Sequence, residues 1–459
     1  RRLPSRCNFL CSTVRRYDYD NLPKTSVVIA FYNEAWSTLL QTVYSVLETS
    51  PDILLEEVIL VDDYSDRDHL KEPLAKSCHS CPVHLIPASK RGPSASRLLG
   101  AFAARGEVLR FLDCHCDCHE GWLESLLQRI HEKESAVVCP VIDVIDWNTS
   151  EYLGNSREPQ IGGFDWRLVF TWHVVPWRER KLMRTPIDII RSPTMAGGLF
   201  VVSKRYFEYL GSYDTGMEVW GGENLEFSFR IWQCGTQETH PYSHVGHFFP
   251  KQAPYSRSKA LANSVRAAEV WTDELKELYH PRNPQRLEPS GELTERKKLQ
   301  PKLQCEDLKR FLATMYPELH VPEDRPGFFG KLENRGRRGY CLDYNPPSEN
   351  SVEGHQVLLY LCHEMGQNQF FECTSRQEIR YNTRQPQVCI AVEEGKDLIP
   401  DLWKDTVPEN QEFILQEDGQ HTGKCVEATE EEFNSAFAPN LRDCSNSDSQ
   451  RWFCQELMS

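Results

Sequence analysis

The apolar run Ser26-Val27-Val28-Ile29-Ala30-Phe31 is the first of three similar segments that decide the predicted fold. Glu57-Val58-Ile59-Leu60-Val61 is the second segment, and residues 108–112 are the third. Residues 36–47 follow the first segment and residues 121–134 follow the third, and both have apolar side chains at helical spacing. Short apolar strands separated by helices predict an α/β fold with a mostly parallel sheet and helices on both faces.

Polar residues follow each of the three predicted strands. Asn33-Glu34 comes after the first, Asp62-Asp63 after the second, and Asp113-Cys114-His115 after the third. Ligands of such sheets bind beyond the carboxyl ends of the strands. We therefore expect an active site at this edge of the sheet.

Composition restricts the class of protein. The sequence has 459 residues, and 52 Lys and Arg against 67 Asp and Glu give a net charge of −15. This length predicts about two to four domains, and the acidic balance argues against a nucleic-acid partner. No apolar run is long enough to span a bilayer. Because the sequence begins with Arg1 rather than Met, we expect an N-terminal piece to be missing from it, and a signal or anchor segment there stays open.

Cysteine is frequent, with 17 residues. Disulfides persist in oxidising compartments, so this number favours a secretory-pathway protein with several disulfides. A set of buried free thiols is the alternative. Because 17 is odd, at least one cysteine is free or pairs outside the chain.

The C-terminal part contains a threefold repeat. Three Gln-x-aromatic triplets lie 42 and 39 residues apart, namely Gln369-Phe370-Phe371, Gln411-Glu412-Phe413 and Gln450-Arg451-Trp452. Cys341, Cys389 and Cys425 open the three units, and each precedes Leu, Ile or Val. Units of about 40 residues that must stack to bury their aromatic side chains predict an all-β β-trefoil over residues 329–459. Prolines mark residues 317–328 as the linker before it.

The segment Asp113-Cys114-His115 offers metal ligands. A carboxylate with an imidazole suits Mn²⁺, Zn²⁺ or Fe²⁺, and a divalent ion there would neutralise charge on a diphosphate. The longer run of residues 113–119 is alternatively a zinc site, although alternate residues of an extended segment cannot all converge. A histidine that merely packs at the strand end is the third interpretation.

A second motif offers groups that can bind an anion and sugar hydroxyl groups. In Trp220-Gly221-Gly222-Glu223-Asn224, two glycines permit close backbone approach before a helix predicted over residues 225–234. Glu223 and Asn224 supply an acceptor and an amide for hydroxyl groups. Ser243-His244-Val245-Gly246-His247 adds two imidazoles, either of which alone is more commonly a core residue.

These motifs together resemble the polypeptide N-acetylgalactosaminyltransferases. The resemblance rests on Asp113-Cys114-His115, residues 220–224, Val245-Gly246-His247 and the Gln-x-aromatic repeat. It implies a GT-A (Rossmann-like) catalytic domain over residues 22–316, a ricin-type lectin domain over 329–459, and a stem remnant over 1–21. The implied reaction transfers N-acetylgalactosamine from its UDP donor to Ser or Thr of proteins, with retained anomeric configuration.

The resemblance also implies roles for single residues. It makes Mn²⁺ the cofactor, with Asp113, His115 and His247 as its ligands. It assigns nucleotide contacts to Asp63, Arg91 and Cys114. It places Glu223 and Trp220 in the catalytic centre, Glu223 lining the sugar pocket and Trp220 lying with Tyr255 in the mobile loops over the donor.

In the lectin domain, the resemblance assigns the sugar site to the first repeat. Its expected residues are Asp343, Tyr360, His363 and Asn368. The second and third repeats have Ala391 and Glu427 where the first has Asp343, so we expect only the first repeat to bind N-acetylgalactosamine.

Disulfides and departures from the family pattern follow from the same resemblance. The expected pairs are Cys234–Cys305, Cys341–Cys362 and Cys425–Cys444. Tyr242 stands where the family has Cys, so Cys7 or Cys11 lacks its usual disulfide partner. Trp403 likewise stands where the family has Cys, which leaves Cys389 without its usual partner unless Cys373 or Cys454 replaces it. The segment 90–97 is one residue longer than in the family and contains Pro93, which removes an N–H.

We therefore expect an Mn²⁺-dependent transferase of the Golgi lumen that acts on Ser/Thr-rich proteins and their glycopeptides. Membrane attachment would use an N-terminal anchor outside this sequence. The altered segment 90–97 leaves open an alternative, a catalytically weak or inactive relative that acts mainly as a glycopeptide-binding lectin.

Overall fold

The structure is a computed structural model. It describes residues 17–78, 82–88, 92–154, 159–218, 220–249, 257–280, 283, 291–304, 306–323, 328–346, 355–363, 368–381, 387–393, 397–404, 406–414, 423–433 and 436–455. The described residues fall into two compact units. The first lies within Arg1–Phe164, Phe170–Asp273 and Leu287–Pro317, and the second within Asp165–Val169, Glu274–Arg286 and Glu318–Ser459. The predicted domain and linker boundaries stay predictions.

The described chain contains strands and helices with the following bounds. The strands are β1 (Thr25–Phe31), β2 (Leu55–Asp62), β3 (Val83–Pro87), β4 (Val108–Asp113), β5 (Cys116–Cys118), β6 (Ala136–Ile145), β7 (Tyr152–Gly154), β8 (Gln160–Phe164), β9 (Phe170–Val174), β10 (Ile190–Arg191), β11 (Phe200–Ser203), β12 (Thr236–Phe248), β13 (Phe329–Asn334), β14 (Tyr340–Asp343), β15 (Leu358–Leu361), β16 (Phe371–Cys373), β17 (Ile379–Tyr381), β18 (Val388–Glu393), β19 (Asp397–Leu402), β20 (Lys424–Phe433), β21 (Ala436–Asp443) and β22 (Trp452–Gln455). The α-helices are α1 (Trp36–Thr49), α2 (Glu72–Cys78), α3 (Pro93–Ala103), α4 (Glu124–Glu132), α5 (Trp177–Arg180), α6 (Lys204–Tyr209), α7 (Glu223–Cys234), α8 (Arg257–Trp271), α9 (Lys276–Tyr279), α10 (Thr294–Leu303) and α11 (Leu308–Met315).

The first unit is built on one mixed sheet. Its strand order is β10-β12-β6-β11-β4-β1-β2-β3, with β5 paired to β12 and β7 paired to β6. Strands β3, β2, β1 and β4 are parallel to one another, and β6 is parallel to β12. Strand β11 is antiparallel to both β4 and β6. The predicted α/β class is confirmed, with an antiparallel strand inserted at the centre of the sheet.

Both faces of this sheet are covered because successive side chains of a strand point to opposite sides. Val27 and Ile29 of β1 pack in a core that contains Leu39 of α1. Val28, between them, packs in a second core with Leu98 of α3. The strands that deliver the polar residues at 33–34, 62–63 and 113–115 are thus held between two apolar layers.

The second unit contains the repeat. Strands β13 to β22 form one connected antiparallel arrangement in which the first strand, β13, pairs with the last, β22. Leu342, Ile390 and Val426, which follow the three repeated cysteines, belong to a single apolar core. The same core receives the aromatic residues Phe371, Phe413 and Trp452 of the Gln-x-aromatic triplets. Three units that share one core fit the predicted β-trefoil.

Two of the expected disulfides are present, Cys341–Cys362 and Cys425–Cys444. Cys234 is disulfide-bonded, and its expected partner Cys305 lies outside the described residues, as do Cys7 and Cys11. Cys389 is buried and forms no disulfide, so neither Cys373 nor Cys454 compensates for Trp403. Within the described ranges, no helix is long and apolar enough to cross a bilayer.

Candidate active site

Strand pairing brings the three expected metal ligands together. Asp113 is the last residue of β4, and His115 lies between β4 and β5. In the pairing of β5 with β12, Cys116 lies opposite His247. This register places His247 beside His115 although the two are far apart along the chain.

The three side chains converge on one point. One ligand atom each of Asp113, His115 and His247 lies within 4.8 Å of the others. Nε2 of His247 is 3.4 Å from Oδ2 of Asp113, and the two imidazole rings have centroids 4.7 Å apart. Nδ1 of His247 is buried and makes no hydrogen bond within the described part of the chain. One carboxylate and two imidazoles with a free ring nitrogen fit a divalent ion such as Mn²⁺.

Arg97 holds the carboxylate of this triad. Its Nη2 donates to Oδ1 of Asp113 at 2.8 Å, and its Nη1 lies 3.7 Å from Oε1 of Glu223. Burial alone would raise the pKa of Asp113, but the hydrogen bond with His247 and the charge of Arg97 hold that pKa below its ordinary value. Asp113 is therefore ionised, as a metal ligand must be.

Gly198 is the close neighbour that permits this pair. A Cβ atom at Gly198 would lie 2.3 Å from both Nη2 of Arg97 and Oδ1 of Asp113. The sequence motifs did not identify either Arg97 or Gly198 as part of the site. Arg97 belongs to the segment 90–97, which departs from the family pattern, and the double glycine at 197–198 was the signal available for the second residue.

Glu34 holds His115 from the other side. Its Oε2 lies 3.1 Å from Nδ1 of His115 and 3.2 Å from Sγ of Cys114. A hydrogen on Nδ1 that is donated to this carboxylate leaves the lone pair on Nε2, so Glu34 selects the tautomer. Burial opposes the charged imidazole, but the hydrogen bond with Glu34 and the charge of Asp113 raise the pKa of His115 above its ordinary value.

Among the expected nucleotide contacts, Asp63 and Cys114 are described. Oδ1 of Asp63 accepts hydrogen bonds from the backbone N–H of Gly92 at 2.7 Å and from the hydroxyl of Ser96 at 2.6 Å. Asp63 thus fixes the first turn of α3. Cys114 is buried next to Glu34. Arg91 and Tyr255 lie outside the described residues, so their roles stay predictions.

Residues 220–224 form a tight turn into α7. Gly222 has φ +81°, and the backbone N–H of Gly221 donates to Oε2 of Glu223 at 2.7 Å. The carboxylate of Glu223 itself thus occupies the start of the helix, and burial raises its pKa. Asn224, a predicted hydroxyl-binding amide, donates to the carbonyl oxygen of Met195 at 3.0 Å. Trp220 is 41% exposed.

The remaining residues of the two His-containing motifs point elsewhere. Nδ1 of His244 lies 2.9 Å from Oδ2 of Asp143, and its Nε2 lies 3.1 Å from the carbonyl oxygen of Pro241. Cys116 and Cys118 are buried in the apolar core. The imidazole ring of His119 packs edge-to-face against the ring of Tyr152, with the two ring centroids 4.8 Å apart. The run 113–119 therefore does not converge on one ion, in agreement with the alternation expected of an extended segment.

The first lectin repeat brings two of its expected residues, Asp343 and His363, together. Nε2 of Gln369 donates to Oδ2 of Asp343 at 2.9 Å, and Nε2 of His363 lies 3.5 Å from the same oxygen. Tyr360, in β15, lies beside Cys341 of β14 and is 49% exposed. Asn368 accepts a backbone hydrogen bond from the N–H of Tyr344 at 2.9 Å.

The other two repeats differ at the equivalent carboxylate. Gln411 donates to Oδ2 of Asp401, a residue of β19, because Ala391 offers no acceptor. Gln450 donates to Oε2 of Glu427 at 2.6 Å, so the third repeat keeps a glutamine–carboxylate pair with a longer acid.

Comparison with known proteins places both units. Three family models match: glycosyl transferase family 2 over residues 26–207, the N-terminal domain of galactosyltransferase over residues 188–252, and the ricin-type β-trefoil lectin domain over residues 328–452.

Curated relatives match nearly the whole chain. Polypeptide N-acetylgalactosaminyltransferase 12 of Mus musculus is 80% identical over 468 residues, covering 100% of this chain and 81% of the relative. The Homo sapiens protein of the same name is 74% identical, covering 100% of this chain and 80% of the relative. Polypeptide N-acetylgalactosaminyltransferase 4 of Mus musculus is 55% identical, covering 90% of this chain and 73% of the relative.

A solved structure matches with a TM-score of 0.72. It is the crystal structure of GalNAc-T7 with UDP, GalNAc and Mn²⁺, which is 30% identical in sequence and covers 95% of this chain and 82% of that chain.

Proposed function

Because this chain belongs to the polypeptide N-acetylgalactosaminyltransferase family, we propose that it transfers N-acetylgalactosamine from UDP-N-acetylgalactosamine to Ser or Thr of proteins, with Mn²⁺ and with retained configuration. The convergence of Asp113, His115 and His247 carries the proposal. A weak relative that mainly binds glycopeptides has no need to hold Asp113, His115 and the distant His247 together at one point.

Mn²⁺ bound there would neutralise the charge that develops on the departing diphosphate. Arg97 keeps Asp113 ionised, and Glu34 keeps the Nε2 lone pair of His115 available. These two outer contacts hold the ligands before the donor arrives, which lowers the cost of reorganisation.

Protein groups other than the metal ligands position the sugar. We assign Glu223 and Trp220 to the sugar pocket and the loop above it, and Asp63, Arg91, Cys114 and Tyr255 to the donor. Glu223 is buried beside Arg97, and burial raises its pKa, so it suits hydrogen bonding with hydroxyl groups rather than nucleophilic attack. We assign no general base to the protein: the departing phosphate takes the acceptor hydroxyl proton on the same face. The reaction then needs no carboxylate pair of the glycosidase kind.

The lectin unit is assigned to glycopeptides that already carry N-acetylgalactosamine. Asp343, Tyr360, His363 and Asn368 would form its site in the first repeat. An ionisable carboxylate beside an exposed aromatic face suits a sugar, whose hydroxyl groups need acceptors and whose ring carbons need an apolar surface. Gln369 orients the carboxylate of Asp343 by a direct hydrogen bond.

Location and partners follow from the same assignment. The disulfides of the trefoil support an oxidising compartment, and we propose the Golgi lumen. Ser/Thr-rich proteins and their glycopeptides are the proposed acceptors. A membrane anchor N-terminal to this sequence is the proposed means of attachment.

The test is transfer to a Thr-rich peptide after chelation of divalent metal, with and without added Mn²⁺. The expected result is transfer that depends on Mn²⁺. Asp343→Ala should lower the preference for a peptide that already carries the sugar and leave transfer to the naked peptide nearly unchanged. Binding of glycopeptide without any Mn²⁺-dependent transfer would instead support the lectin alternative.

A further inference from the structure

Three side chains at the active-site edge form a second cluster of possible metal ligands. Ligand atoms of Glu34, Cys114 and His115 lie within 4.8 Å of one another. Glu34 follows β1 and Cys114 follows β4, and these two strands are parallel neighbours. The cluster therefore sits at the carboxyl ends of adjacent strands, and it contains one oxygen, one sulfur and one nitrogen donor.

The spacing of these donors is that of a tetrahedral zinc site. Bonds of about 2.0–2.2 Å to nitrogen and oxygen and about 2.3 Å to sulfur place tetrahedral ligand atoms about 3.3 Å apart for N···O and about 3.5 Å apart for pairs with sulfur. The observed separations are 3.1 Å for His115 Nδ1 to Glu34 Oε2, 3.5 Å for Cys114 Sγ to His115 Nδ1, and 3.2 Å for Cys114 Sγ to Glu34 Oε2. Shifts of a few tenths of an ångström would complete the tripod.

We propose that Glu34, Cys114 and His115 bind a thiophilic divalent cation such as Zn²⁺, and that this binding inhibits the enzyme. Thiolate sulfur favours Zn²⁺ over Mn²⁺, which prefers oxygen and nitrogen donors. The cation replaces the thiol proton of Cys114, and the proton leaves to solvent. The fourth position is left for water.

Inhibition follows from the shared ligand. A neutral imidazole has one lone pair, so His115 binds either the cation of this tripod or the cation of the triad with Asp113 and His247. The inhibitory part rests on the proposed Mn²⁺ ligands, whereas binding to the tripod does not. The two parts are therefore tested separately.

Binding is tested with Cd²⁺, whose thiolate complexes absorb in the ultraviolet. The nucleotide-free protein should show a Cd²⁺–thiolate band that saturates at one equivalent. Cys114→Ser, which keeps the size and the hydrogen bond but not the soft donor, should lose that band. Cys118→Ser removes a buried thiol outside the tripod, so this variant should keep the Cd²⁺–thiolate band. A band that survives in Cys114→Ser, or is missing in the unmodified protein, overturns the proposal.

Two further measurements separate this proposal from the proposed function. His247→Ala disrupts the triad but leaves the tripod, so it should keep the Cd²⁺ band. In the unmodified protein, the apparent Kd for Mn²⁺, measured by the electron paramagnetic resonance of free Mn²⁺, should rise in proportion to added Cd²⁺. Mn²⁺ binding that is insensitive to Cd²⁺ while the thiolate band is present refutes the shared role of His115. Failure of Mn²⁺ to bind at all counts against the proposed function. The Cd²⁺–thiolate band still shows in that case whether Glu34, Cys114 and His115 bind a cation.

Discussion

Trp403→Cys should restore a disulfide that the second lectin repeat lacks. In the first repeat, Cys341 pairs with Tyr360 across the strands and is bonded to Cys362, two residues further on. In the third, Cys425 pairs with Arg442 and is bonded to Cys444, again two residues further on.

The second repeat has the same register. Cys389 pairs with Asp401, and Trp403 is two residues further on. The backbone N–H of Trp403 donates to the carbonyl oxygen of Gln387, two residues before Cys389, at 3.0 Å. Cys362 and Cys444 make the equivalent hydrogen bonds to Gly339 and Gly423. The substitution therefore places a thiol where the other two repeats have their second half-cystine.

The magnitude follows from loop closure. A bond across the 15 residues from Cys389 to Trp403 stabilises the folded state by about 3 kcal/mol in the chain-entropy model. Removal of Trp403 has its own cost, since Arg380 lies over its ring at 4.9 Å, although its buried Nε1 makes no hydrogen bond to any described residue. Trp403→Ser has the same cost and cannot form the bond, so it is the matched control.

The assay is urea unfolding of both variants after refolding in an oxidising glutathione buffer, with thiols counted by mass spectrometry. We expect Trp403→Cys to lose two thiols and to be more stable than Trp403→Ser by up to about 3 kcal/mol, a gain that reductant removes. Because burial raises the pKa of Cys389 to about 12, the oxidant must act before the repeat closes. If Cys389 and the cysteine introduced at position 403 both remain thiols in the folded variant, the proposed equivalence of the repeats is refuted. Equal stability of Trp403→Cys and Trp403→Ser would refute it as well.

Substitutions at three other positions test the contacts around the metal triad and the acid stability of the second unit. Gly198→Ala places a Cβ 2.3 Å from Nη2 of Arg97 and Oδ1 of Asp113 and should therefore disturb their contact. Isothermal titration calorimetry should show Mn²⁺ affinity falling about 10–100-fold. Unchanged affinity would show that Arg97 does not orient Asp113. Arg97→Met leaves the carboxylates of Asp113 and Glu223 without their buried guanidinium and should lower the free energy of unfolding by about 3–5 kcal/mol. Arg97→Lys keeps the positive charge and should lower the free energy of unfolding less. Equal losses in the two variants would exclude a role for the charge. Burial favours a raised pKa of Glu372, but its hydrogen bond with His320 holds that pKa below the ordinary 4.5. Between the folded-state pKa and the unfolded-state pKa of Glu372, the unfolded chain binds more protons than the folded chain, so stability rises with pH. This stability is complete above about pH 4.5 and is lost as pH falls through the folded-state pKa. Glu372→Gln should flatten the acid side of the stability profile, and an unchanged profile would contradict the assignment.

The sequence predicted those elements whose residues carry a strong local pattern. The apolar runs at 26–31, 57–61 and 108–112 lie within β1, β2 and β4, because strands buried on both faces are apolar throughout. The helices also match, although α4 begins three residues later than predicted and α7 begins two residues earlier, at Glu223. Helix ends depend on local turns, which periodicity does not define.

The contacts between the motifs could not be predicted from local pattern. His247 reaches His115 only because β12 pairs with β5 in one particular register. Spacing alone also does not distinguish His247 from His244, which bonds to Asp143 instead. Arg97 was missed because a buried cation is recognised by its partners, and those lie on β4 and at the start of α7.

The central claim is that His247 completes a cation site with Asp113 and His115. Mn²⁺ binding by the nucleotide-free protein, followed by electron paramagnetic resonance, tests it most directly. We predict that His247→Ala weakens Mn²⁺ binding by more than the roughly 10–100-fold typical of outer contacts, whereas His244→Ala, whose ring bonds to Asp143 and Pro241, binds Mn²⁺ like the unmodified protein. Binding by His247→Ala with unchanged affinity and stoichiometry would contradict the account.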